Sequence, residues 1–170
     1  VFEPCNVSSE NIVWYGNSML IMNFNISFNY SGPVNIYVTD SQDLAGNSLN
    51  AFTYTFILDT VAPTAKIFVD KTSPIGRGNI HITIKFSEIM NSSLPVYVNF
   101  SGKRVNGDWV NETVWEGDYS ITTEYGEVKI TVAGGRDIAK NVMIPANLSV
   151  IVDTRPPEIS EVLYEKEVNE

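Results

Sequence analysis

"GPVNIYVTDSQDLAGNSLNAFTYTFILDTVAP", residues 32–63, lies without a gap on "GEVKITVAGGRDIAKNVMIPANLSVIVDTRPP", residues 126–157, when the chain is slid along itself by 94 positions. Eleven positions are identical: Gly32/Gly126, Val34/Val128, Ile36/Ile130, Val38/Val132, Asp43/Asp137, Ala45/Ala139, Asn47/Asn141, Ile57/Ile151, Asp59/Asp153, Thr60/Thr154 and Pro63/Pro157. Average residue usage would leave about two such matches by chance, so the stretch is a duplicated unit. In each copy the apolar residues alternate: Val34, Ile36 and Val38 in the first, Val128, Ile130 and Val132 in the second. Successive side chains of a strand point to opposite faces, and alternation therefore means one buried face and one wet face. An Asp-x-Ala-x-Asn turn follows, then a strand with Tyr54, Phe56 and Leu58 inward. "DTVAP" and "DTRPP" close the copies. Proline removes a ladder donor and biases its predecessor to extended geometry, which suits short, stiff links.

Alternation continues outward from the repeat. Ala65, Ile67 and Val69 form one series, and "NIHITIKF" puts Ile80, Ile82, Ile84 and Phe86 on one face with His81, Thr83 and Lys85 on the other. "MNFNISFNYSG", residues 22–32, sets Met22, Phe24, Ile26, Phe28 and Tyr30 against Asn23, Asn25, Ser27, Asn29 and Ser31, which predicts a strand. No segment shows a helical period over ten or more residues, and many short strands at this spacing indicate an all-β sandwich or barrel. A unit near 100 residues has the size of an immunoglobulin-like sandwich.

"ITIKFSEIM", "GDWVNETVWEGDYS", "EVKITVAGGRDIAKN" and "VDTRPP", in that order, resemble the tandem immunoglobulin-like modules of prokaryotic cell-surface and extracellular proteins. The resemblance covers Pro63 to Pro157 well and Val1 to Thr60 in part. It implies tandem immunoglobulin-like β-sandwich modules, with residues 1–61 an incomplete module of later strands and 62–154 a complete one. Residues 155–170 are then a linker and the first strand of a further module, or a donor strand for a neighbouring copy. One departure is Lys140, which stands where the first copy has Gly46 and would be strained if that position has positive φ.

Composition excludes several classes. A net charge of −9 without a basic stripe argues against nucleic acid, and "MLIM" and "FIL" are far too short to cross a bilayer as helices. "VFEPC" has no basic region followed by an apolar one, so an exported chain has had its signal removed. Cys5, the single cysteine, cannot form an internal disulfide; it is a small thiol or a bridge to another chain.

The excess of asparagine has a second pattern. Seven asparagines head Asn-x-Ser/Thr triplets: Asn6, Asn25, Asn29, Asn91, Asn99, Asn111 and Asn147. The 17 Asn and 27 Ser plus Thr would produce roughly three by chance. Asn25, Asn29, Asn99 and Asn147 fall on the polar phase of their strands, where a bulky glycan is tolerated. The expectation is an N-glycosylated chain outside the cytosol.

Residues that could carry chemistry are sparse. His81, the one histidine, sits in the outward phase, without a sequence-readable nucleophile or metal cluster. Glu88, Glu112, Glu116 and Glu124 carry only the generic signature of acidic loops. Asp43, Asn47, Asp59, Asp137, Asn141 and Asp153 offer hard oxygens that calcium favours. The resemblance implies that some relatives stiffen module junctions with that ion. The competing reading is an Asx-type turn, in which Asp and Asn bond local backbone groups. Trp14, Trp109 and Trp115 are either sandwich core or a sugar-stacking platform. Together these point to a non-enzymatic structural protein of an extracellular, glycosylated surface assembly (filament, S-layer or stalk), with strand donation between subunits as a route to a polymer. The partners are then copies of itself or neighbouring modules, with N-linked glycans, and no cofactor is expected beyond calcium. The alternative is a carbohydrate-binding or spacer module of a larger secreted enzyme or adhesin.

Overall fold

The structure, a computed structural model, describes residues 2–3, 12–15, 19–23, 26 and 28–163, without the side chains of Phe2, Glu3, Ile12, Trp14 and Tyr15. Among the described residues every regular element is a β-strand, and all strand pairings are antiparallel. The chain divides into two compact units, Val1–Ala62 and Pro63–Glu170.

The first unit contains β1 (Phe2–Glu3), β2 (Ile12–Tyr15), β3 (Met19–Met22), β4 (Ser31–Val38) and β5 (Phe52–Asp59). β4 lies between β1 and β5 in one sheet, and β2 pairs with β3 in a separate hairpin. The strand expected over Met22–Gly32 is not seen as one element: β3 takes in Met22 and β4 takes in Ser31 and Gly32, while the described residues between them, Asn23, Ile26 and Phe28 to Tyr30, take no strand pairing. Alternation alone does not make a strand when asparagine, a poor strand former, fills most of the alternate positions. Phe24, Asn25 and Ser27 lie outside the described residues.

The second unit holds β6 (Ala65–Val69), β7 (Gly78–Phe86), β8 (Tyr97–Phe100), β9 (Lys103–Arg104), β10 (Asn106–Asn111), β11 (Val114–Ile121), β12 (Gly126–Ala133) and β13 (Ala146–Val152). They form two four-stranded sheets, β10-β11-β7-β6 and β13-β12-β8-β9. Ile80, Ile82 and Ile84 from the first sheet share one core with Val98, Phe100, Ile130, Val132 and Val152 from the second. This arrangement is consistent with a β-sandwich, and it follows from the alternation, since each of these strands sends every second residue inward. Trp115 fills the core edge under β10; a Cβ on Gly117 would meet its ring at 2.5 Å, so only glycine lets the ring lie there. The segment Arg155–Leu163 takes no strand pairing, and Ile159, Val162 and Leu163 are exposed. Residues 164–170 lie outside the description.

Candidate functional site

The 94-residue offset extends from sequence to hydrogen bonds. Val34 pairs with Phe56 across β4 and β5, as Val128 pairs with Val150 across β12 and β13. Gln42 bridges Ser48 as Arg136 bridges Val142. In the first turn Asp43 Oδ1 accepts from the backbone N–H of Ala45 (2.9 Å) and Asn47 (2.8 Å), and Oδ2 accepts from Asn47 Nδ2 (2.8 Å). In the second, Asp137 Oδ1 accepts from Asn141 N and Oδ2 from Asn141 Nδ2, both at 2.8 Å. Gly46 at φ 86° and Lys140 at φ 75° occupy the same left-handed corner. At the copy ends, Asp59 Oδ1 accepts from Val61 N–H and Asp153 Oδ1 from Arg155 N–H, each at 3.0 Å.

These distances describe Asx turns closed by protein atoms, with the carboxylates already bound to local donors. Hydrogen bonds from Asn47 hold the Asp43 carboxyl below its usual range, followed by smaller contributions from Ala45 and Gly46. Within the second unit Glu88 brings a carboxylate oxygen within 4.8 Å of one from Asp137.

His81 lies on the outer face of β7, directly opposite Asp118 on β11. Its Nδ1 is 2.9 Å from Asp118 Oδ1 and its Nε2 is 3.4 Å from Glu116 Oε2. The hydrogen bond with Asp118 raises the imidazole pKa, opposed by partial burial and aided by the two carboxylate charges. The arrangement is a cross-strand ion pair, worth little on an open face. Beside it Trp109, half-buried and 5.1 Å from the Phe86 ring, borders a shallow hollow of about 510 Å³ with Asp108, Glu116 and Asp118. Trp115 is buried, and the side chain of Trp14 lies outside the description, so the described tryptophans present no exposed coplanar pair.

Asn6, Asn25 and Cys5 also lie outside the described residues. Of the remaining acceptor asparagines, Asn29, Asn111 and Asn147 are exposed and Asn91 and Asn99 half-buried; none points into the core. Asn99 and Asn147 flank Thr131 across β8, β12 and β13, so they share a rung of the outer face.

One group with a defined environment carried no distinguishing sequence signal. Glu124, buried, accepts from Lys103 Nζ at 2.9 Å, Tyr119 Oη at 2.8 Å, and the backbone N–H of Thr122 and Thr123. Burial pushes its pKa up, but the Lys103, Thr122 and Tyr119 hydrogen bonds together hold it well below the carboxylate range. Tyr119, Thr122 and Thr123 lie within five residues of it, but Lys103, its charged partner, is 21 residues away on β9 and is brought in only by the fold.

Compared with known proteins, the chain matches no family model, no curated protein and no solved structure.

Proposed function

We propose that this chain is a structural, non-enzymatic element of an extracellular glycosylated surface assembly, built from immunoglobulin-like modules in tandem. The observation that carries this reading is the duplication. Two β-hairpins 94 residues apart repeat the same strand register, Asp–Asn side-chain bond and terminal Asx turn, as expected of modules strung together. The sequon pattern supports the extracellular placement, because every described acceptor stays out of the core. The mechanism is mechanical: sandwiches hold shape, proline-containing links limit bending, and glycans coat the outer faces. Strand donation is one route to a polymer, because among the described residues β5 ends its sheet and Arg155–Leu163 takes no strand pairing while bearing three exposed aliphatic side chains. Electron microscopy of the secreted chain tests this directly. Filaments or regular arrays that disappear when residues 155–170 are deleted are the expected result, and a strictly monomeric chain over a wide concentration range overturns strand donation.

Trp109 favours a second reading, a carbohydrate-binding module, because an aromatic ring beside Asp108, Glu116 and Asp118 can stack on a sugar and bind its hydroxyls. Titration with oligosaccharides, followed by tryptophan fluorescence and repeated with Trp109→Ala, separates the two. A saturable change lost in the variant favours sugar binding, and no change favours the structural reading.

A further inference from the structure

The four described sequons of the second unit differ in what the fold would have to give up for a glycosyltransferase to grip them. Asn99-Phe100-Ser101 is the most constrained. Phe100 is fully buried and stacks on Tyr119 at 4.5 Å between ring centroids. Ser101 and Gly102 form the two-residue hairpin between β8 and β9, both with positive φ, and Ser101 N–H donates to Lys129 O at 3.0 Å. Across the pair stands Arg104, whose guanidinium lies 4.8 Å over the Tyr97 ring. Presenting this triplet means withdrawing a core aromatic and dissolving a hairpin, which approaches global unfolding.

Asn111-Glu112-Thr113 is the opposite case. It forms the tip of the β10–β11 hairpin, its three residues lie outside the core, and Asn111 Oδ1 accepts from Thr113 N–H (2.9 Å) and Oγ1 (3.0 Å), directing the amide nitrogen away from the turn. Asn91-Ser92-Ser93 is likewise a turn without a core side chain, with Asn91 Oδ1 accepting from Ser93 N–H at 3.1 Å. Asn147-Leu148-Ser149 is intermediate: Asn147 is exposed on the outer sheet face, but Leu148 packs against the core.

The two turn sequons are neighbours. Met90 N–H donates to Glu112 O at 2.8 Å and Phe86 N–H to Thr113 O at 2.9 Å, tying the hairpin tip to the segment that leads into Asn91. Ser87 N–H in turn donates to Thr64 O, so both turns stand where the chain enters this unit. Resting on the glycosylated-surface reading above, we infer that the fold selects Asn91 and Asn111 as N-glycan acceptors that collar the entry of the Pro63–Thr64 segment, and closes Asn99.

The test is site occupancy. The whole chain, carrying an appended control sequon, is secreted from a host that performs N-glycosylation and cleaved with chymotrypsin, which separates Asn91 from Asn99 after Tyr97. Enzymatic glycan release in heavy-oxygen water then marks each occupied asparagine for mass spectrometry. Asn91 and Asn111 are expected to be occupied in most molecules and Asn99 about ten-fold less or lower, because only local opening exposes the former. Phe100→Ala, which keeps the triplet but removes its anchor, is expected to raise Asn99 occupancy several-fold. Wild-type occupancy at Asn99 equal to that at Asn111, or no rise in Phe100→Ala, overturns this inference and leaves the glycosylated reading standing. An occupied control sequon with all native sequons bare sinks that reading itself, and the collar with it.

Discussion

The two halves of the duplication share their turns but not their burial. In the second unit β12 and β13 lie beneath a second sheet, and Ile130, Val132 and Val152 are fully buried. In the first, β4 and β5 keep the same register, yet of their large apolar side chains only Val34 is buried, while Phe52 and Tyr54 are more than half exposed. The same hairpin is therefore encoded twice, and its core is closed once among the described residues. Strand pairing and turn chemistry are local properties of about 30 residues, whereas burial needs a partner layer from elsewhere.

The largest effect should come from the core that, among the described residues, closes in the second unit. Phe100→Ala is expected to cost about 3–5 kcal/mol through lost transfer energy and the cavity left behind, whereas Phe52→Ala, removing an exposed ring, should cost less than about 1 kcal/mol. Chemical denaturation of each variant measures both. Equal losses would mean that the first unit has a core of comparable quality and would erase the contrast.

Next in size is Glu124, whose counterpart at the same offset is Tyr30. Tyr30 sits one residue before β4 and Glu124 two before β12, and both offer their carbonyl to the hydroxyl of Thr60 or Thr154. Only Glu124 gathers a lysine, a tyrosine and two backbone donors. Glu124→Gln should cost about 2 kcal/mol near neutral pH, since hydrogen bonds to a charged acceptor are the stronger kind. The folded carboxyl titrates below its unfolded value, so its contribution is present above the unfolded pKa of about 4.5 and declines as pH falls below it. The gap between wild type and Glu124→Gln should narrow across that acid range. A gap independent of pH would mean that the loss is packing and not charge.

These contrasts show where sequence reading reached its limit. The all-β class, the alternating faces of β7 and β12 and the duplicated Asp-x-Ala-x-Asn turn were legible, because each depends on residues within a few positions of one another. The burial of Trp115 against glycines 107 and 117, and the Lys103 contact that completes the Glu124 cluster, depend on the fold and not on a spacing rule. The Met22–Gly32 stretch failed in the other direction: perfect alternation was present, but the described residues between β3 and β4, Asn23, Ile26 and Phe28 to Tyr30, found no ladder partner. Lys140 was a conditional expectation, and its φ of 75° fulfils the condition.

That residue gives a smaller, reciprocal prediction. A left-handed corner costs a non-glycine residue roughly 1 kcal/mol. Lys140→Gly should therefore stabilise the second unit by up to about 1 kcal/mol, and Gly46→Lys should destabilise the first by a similar amount. The neighbouring bond from Arg136 Nη1 to Lys140 O involves only the backbone oxygen and survives the exchange. Thermal melts of both variants decide it, and a destabilising Lys140→Gly would show that the lysine side chain makes a compensating contact.

The smallest expected effect is that of calcium, and its smallness is informative because both copies agree on it. Asp43 and Asp137 each direct both carboxylate oxygens at donors within four residues, so metal ligation would have to displace two or three short hydrogen bonds per turn. An ion that binds only the folded chain stabilises it in proportion to the logarithm of its concentration over Kd. Millimolar calcium or a chelator should then leave the melting temperature of the whole chain unchanged within about 1 °C, because a site that weak gains almost nothing by mass action. A rise of several degrees with calcium, abolished by Asp137→Asn but not by Asp43→Asn, would assign the ion to the buried turn and make burial, not turn chemistry, the property that separates the two copies.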